Sequence, residues 1–113
     1  MIVHIANGVV FFDSGSALLN QRAMSYLDRI KPASWLGCVD KVYIIGHTDR
    51  SGSSTDNLNL SLRRADAVRN ALIASGMPKD LLVVRGSGED DPLIPTADGI
   101  VEPQNNFVVI IPQ

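Results

Sequence analysis

The chain is poor in charge, aromatic rings and cysteine, and each shortage excludes something. Charged side chains make up only 19% of its 113 residues, and 12 Asp and Glu outweigh 10 Lys and Arg, for a net charge of −2. Proteins that grip nucleic acid normally carry a basic excess or stripe. Neither is found, so no nucleic acid is expected as a partner. The single cysteine, Cys38, excludes an internal disulfide and is expected to act as a small, partly buried apolar side chain. No apolar run approaches the ~18–20 residues that span a bilayer, so no direct membrane insertion is expected of this stretch. The opening "MIVHIANGVVFF" lacks the basic region and cleavage site of a secretory signal. That fits an intracellular protein, or a mature domain from a longer secreted chain. Internal repeats and low-complexity tracts are also missing.

What is present is apolar material, 45% of the residues, in a length that suits one domain. Such a chain buries roughly two-thirds of the surface it would expose unfolded. "GVVFFD", residues 8–13, reads as a strand. Ser16 is placed to cap a helix over "ALLNQRAMSYLDRI", where Leu19, Ala23, Leu27 and Ile30 recur at helical spacing and Pro32 marks the stop. Residues 41–49 form a second strand, and a polar loop leads to a helix over about 57–75 that Gly76 and Pro78 close. Residues 81–88 and 105–112 are two further strands, separated by a long loop rich in Pro, Gly and Asp. The order β-α-β-α-β-β predicts an α/β (α+β) fold: a two-layer sandwich with a small mixed four-stranded sheet and both helices on one face. Strands joined through helices are expected to run parallel as neighbours, and the last strand can pair antiparallel.

The second helix carries the functional clue. At 100° per residue Leu60, Ala65, Val68 and Leu72 share one side, while Arg63, Asp66 and Asn70 face solvent. Asn57, Ser61 and Arg64 follow at i, i+4 and i+7, in a row that lies within the apolar arc. Arg64 therefore points inward, where its permanent charge needs a carboxylate or an open mouth that can hold one. Asp49 ends the strand before this helix and Asp13 ends the first strand. Parallel neighbours would carry both to one sheet edge, where open α/β sheets bind ligands. Two acids and one base suit a zwitterion, with its ammonium against Asp and its carboxylate in the arginine fork. An Asp49–Arg64 structural ion pair, with Asn57 capping the helix, satisfies the same pattern.

Other groupings offer less. His47 and Asp49 share a strand face, but no third metal ligand has suitable spacing, since His4 and Glu89 to Asp91 lie in separate segments; no metal is expected. No G-x-S-x-G nucleophile motif is present. "RGSGEDD" lacks the lysine of a phosphate-binding loop, so neither catalysis nor a cofactor is expected. Phe11, Phe12, Tyr43 and Phe107 are expected in the core, and "EDD" in a solvated loop.

Three stretches, "FFDSGSALL", "GHTDRSGSSTDNLNLSLRRADAV" and "RGSGEDDP", carry a resemblance to a known family. The ordered pattern G-H-T-D-x-x-G followed by N-x-x-L-S-x-x-R-A resembles the OmpA-like, C-terminal peptidoglycan-binding domains, over about residues 9–111. That family includes peptidoglycan-associated lipoproteins and flagellar stator anchors. The resemblance implies a periplasmic binding module, not an enzyme, that grips the peptide stem of peptidoglycan non-covalently at meso-diaminopimelate. It implies Asp49 and Asp13 near the ligand ammonium, Arg64 on its carboxylate, and Asn57 and Thr48 in support, with Ser61 in the same helix row. It also implies that residues 1–113 are one domain of a longer chain, tethered to the outer membrane by another part. One departure stands out. The family's last strand typically begins N-R-R-V, whereas this chain has Asn105-Asn106-Phe107-Val108 and lacks that positive charge. A protein-interaction domain of the same fold is the alternative function, and a metal-dependent hydrolase a remote one.

Overall fold

Four short runs of β-branched and aromatic residues pair into one sheet because each alternates faces with period two. The computed structural model describes residues 5–113, so His4 lies outside the described residues. Its elements are β1 (Gly8–Phe11), α1 (Gln21–Ile30), β2 (Val42–His47), α2 (Ser54–Ala74), β3 (Leu82–Gly88) and β4 (Phe107–Pro112), with short 3-10 turns before β2, β3 and β4. The predicted order and fold class hold.

The sheet order is β1-β4-β2-β3. β2 and β3 are parallel, while β4 runs antiparallel to both β1 and β2. The expectation that β1 and β2 are neighbours is therefore corrected, since β4 lies between them. Both still run the same way because each opposes β4, so their carboxyl ends reach one edge of the sheet. On one face Val10, Val42, Ile44, Val108 and Ile110 pack with Ala23, Leu27, Ala65, Val68 and Leu72 from the helices. The opposite face, with Val9, Phe11, Tyr43 and Ile45, is open. Phe11 accordingly is 51% exposed and Tyr43 only half-buried, against their expected core positions, whereas Phe12, Phe107 and Trp35 are buried. Cys38 is exposed rather than partly buried.

Helix limits shift for local reasons. The first helix begins at Gln21, not at residue 17, because the Asn20 side chain accepts the Ala23 N–H and Ser16 instead accepts from Leu18. It ends at Lys31, which adopts φ 49°, followed by Pro32. Ser53, not Asn57, caps the second helix by accepting from the Asp56 N–H. Gly76, at φ 106°, closes it as the Met77 N–H returns to the Leu72 carbonyl. This helix crosses the sheet at Gly46, where an added Cβ would lie 1.9 Å from the Ser61 carbonyl oxygen. Only glycine permits that approach. No helix among the described residues is long and apolar enough to cross a membrane.

Candidate functional site

The inward row of α2 is as the wheel places it: Asn57, Ser61 and Arg64 are buried, and Arg63 faces solvent. Arg64 is 0% exposed. Its Nε donates to the Ser16 carbonyl at 2.7 Å. One terminal nitrogen donates to the His47 carbonyl at 2.9 Å and to Asn106 Oδ1 at 2.8 Å, and the other to the Asp13 carbonyl at 3.0 Å. A guanidinium has five N–H groups, so four are already engaged. The Phe12 ring lies 5.4 Å from its central carbon. Burial pushes the Arg64 pKa down to about 10, with Asp49 opposing and Arg63 adding to the fall. The side chain stays charged at neutral pH.

Asp49, 3% exposed, lies two residues beyond the end of β2. Its Oδ1 accepts the Ser51 N–H at 3.1 Å and the Ser51 hydroxyl at 2.6 Å. Its Oδ2 accepts the Glu102 N–H at 3.2 Å and Asn106 Nδ2 at 2.9 Å. Burial alone would raise its pKa, but the bonds from Ser51, Asn106 and Glu102 outweigh that and hold the carboxyl below its ordinary value. Asp49 and Arg64 are thus joined through Asn106 rather than in a direct fork.

Of the other residues singled out from the sequence, Asp13 and Thr48 bond the pair directly, whereas Asn57 and Ser61 bond other partners. Asp13 offers Arg64 its carbonyl, while the residue itself is exposed. Thr48 bonds the Asp49 carbonyl through its hydroxyl and the Gly88 carbonyl through its N–H. Asn57 donates to the Gly52 carbonyl and to Glu89. Ser61 donates to the Leu58 carbonyl and accepts from the Gly88 N–H, which fastens α2 to the end of β3.

Sequence reasoning missed four contributors. Asn106 figured only as a lost arginine. Ser51 was readable, because Asp followed two residues later by Ser is the spacing of a side-chain-to-backbone turn. Arg50 pairs with Asp98 and, at 3.1 Å, with Glu89, and its carbonyl accepts the Gly99 N–H at 2.7 Å. These contacts and Glu102 bind the loop between β3 and β4 over Asp49; nothing in the loop's composition gives its path. Glu89 is therefore tied down rather than free in a solvated loop. His47 stacks on Phe107 at 4.3 Å, and burial lowers its pKa against the pull of Asp90 and Asp91, so the ring is neutral at pH 7. Among the described residues no three His, Cys, Asp or Glu side chains gather to hold a metal.

Comparison with known proteins agrees with this architecture. The outer membrane protein of Gluconacetobacter diazotrophicus is 35% identical over 109 residues, 91% of this chain but 29% of its own length. The chain thus spans under a third of that relative. Among solved structures, the peptidoglycan-associated lipoprotein of Burkholderia pseudomallei aligns with a TM-score of 0.81 and 27% identity, over 93% of this chain and 89% of that one. The C-terminal domain of Helicobacter pylori MotB shares the fold, with a TM-score of 0.78 and 24% identity, over 94% and 84% of the two chains. The OmpA family model matches residues 11–106, which include β2, α2 and the whole Asp49–Asn106–Arg64 cluster, and the chain belongs to the OmpA family.

Proposed function

We propose that this domain binds bacterial peptidoglycan non-covalently, through the diaminopimelate of its stem peptide, and so anchors its parent protein and the outer membrane to the cell wall. The reading places the domain in the periplasm and makes it a binding module rather than an enzyme. The observation that carries it is a buried carboxylate and a buried guanidinium sharing one amide at the sheet edge where β1 and β2 end. Opposite charges held apart in this way match an amino acid's ammonium and carboxylate. Family membership and the likeness to a peptidoglycan-associated lipoprotein support the same choice.

The test is retention on purified sacculi. A charge-assisted hydrogen bond contributes about 1.5–3 kcal/mol, so Asp49→Asn and Arg64→Ala are each expected to weaken retention by roughly 10- to 100-fold. Arg63→Ala, on the solvent face, leaves it unchanged. Equal retention of Asp49→Asn and parent removes the assignment. Sacculi incubated with the parent should release no muropeptides, and EDTA-sensitive release would favour a hydrolase.

A second reading, a protein-interaction domain, is favoured by one observation. Asp49 accepts four hydrogen bonds and Arg64 makes four within the protein, so a ligand must displace existing partners. Under that reading the parent is not retained on sacculi at all.

A further inference from the structure

Asn106 is 1% exposed and uses its whole hydrogen-bonding capacity inside the cluster. Oδ1 accepts from Arg64 at 2.8 Å and from the Asp49 N–H at 3.2 Å. Nδ2 donates to Asp49 Oδ2 at 2.9 Å and to the Glu102 carbonyl at 3.3 Å. Chemistry fixes the orientation of the amide. A guanidinium can only donate and an ionised carboxylate can only accept, so the oxygen must face Arg64 and the nitrogen Asp49. An α-amino acid zwitterion has the same polarity, with an oxygen acceptor beside a nitrogen donor.

We propose that Asn106 is an internal stand-in for an amino-acid zwitterion, occupying the place between Asp49 and Arg64 that a ligand's ammonium and carboxylate would take, and that it thereby sets the affinity and selectivity of the site. The proposal rests on the reading of Asp49 and Arg64 as the ligand pair. A zwitterion brings full charges to both partners, so each contact gains an ion-pair attraction that the neutral amide lacks. It can therefore displace the neutral amide. A diamine without a carboxylate cannot, because it has nothing to offer Arg64. Displacement also requires the chain around Glu102 to yield, and Arg50 holds that loop through Asp98, Glu89 and the Gly99 N–H. The apparent affinity is then the intrinsic one multiplied by the fraction of time the amide is out of place.

Calorimetric titration with meso-diaminopimelate tests this. Asn106→Ala is expected to bind about tenfold or more tightly than the parent, since each tenfold of displacement is tenfold in apparent Kd. Cadaverine, the corresponding diamine without carboxylates, should gain nothing. Asn106→Ser, which keeps a hydroxyl in the cluster, guards against a variant that fails to fold, and amide spectra of each variant verify the fold. Equal or weaker diaminopimelate binding by a folded variant overturns the proposal. Should neither variant fold, the side-chain NH2 signals of Asn106 in the parent decide: they are expected to shift as ligand saturates, and unmoved signals overturn it. Retention of the parent on sacculi reports separately on the proposed function. A parent that depends on Asp49 for retention, without any gain on removing Asn106, loses only the stand-in role.

Discussion

A guanidinium stripped of water keeps its charge only where oxygens replace that water, and Arg64 finds three carbonyls and an amide oxygen. Asp49 solves the converse problem with four donated hydrogen bonds. Its folded pKa is held below the ordinary value near 3.8, so its contribution to stability is fully present above the unfolded pKa. That contribution is lost as pH falls through the folded one. Asp49→Asn, which sets an NH2 against donors, should therefore lower the urea midpoint at pH 7. The gap to the parent should narrow as pH falls below the ordinary carboxyl value near 3.8 and the parent's own carboxyl protonates. A gap that stays constant over that range would mean that the carboxylate is not the group being held. Arg64's inward turn was legible because Asn57, Ser61 and Arg64 fall at i, i+4 and i+7. Its partners were not. Main-chain carbonyls have no sequence signature, and Asn106 lies 42 residues from Arg64, joined to it only by the return of β4.

At the scale of elements, α2 positions the site by lying unusually close to the sheet. Gly46 makes that approach possible, since a Cβ there would meet the Ser61 main chain at 1.9 Å, and backbone cannot swing aside as a flexible side chain can. Gly46→Ala is expected to cost about 3 kcal/mol, the upper end of core overpacking, and to lower Tm by roughly 10 °C. A melt within about 2 °C of the parent would show that helix and sheet are not seated as described. Apolar periodicity made the existence and buried faces of both helices readable, but not their starts. Residues 17–19 continue the helical pattern of α1, yet the Asn20 side chain takes the Ala23 N–H and starts the helix later. In α2 the cap is Ser53, four residues before the residue that its pattern offered.

Across the whole molecule, the last strand does what the chain order conceals. β4 inserts between β1 and β2, carries Asn106 to the edge where those strands end, and so closes the cluster with a residue from the far end of the sequence. Local pattern gives strands and helices, whereas neighbour order in a sheet depends on long-range pairing that no window of residues contains. The helices cover only one face of that sheet, which is why Phe11, on the other, is half in solvent. Loops from three parts of the chain meet over Asp49 and Arg64, and binding at that end requires them to give way. Titration of the parent with meso-diaminopimelate, followed by the amide signals of Asp49 and Ser51 and the Nε–H signal of Arg64, examines ligand and pocket together. The expected result is saturable shifts at these positions in the parent and none in Asp49→Asn; signals that stay fixed, or shifts confined to other parts of the molecule, would contradict a cell-wall ligand held between these two charges.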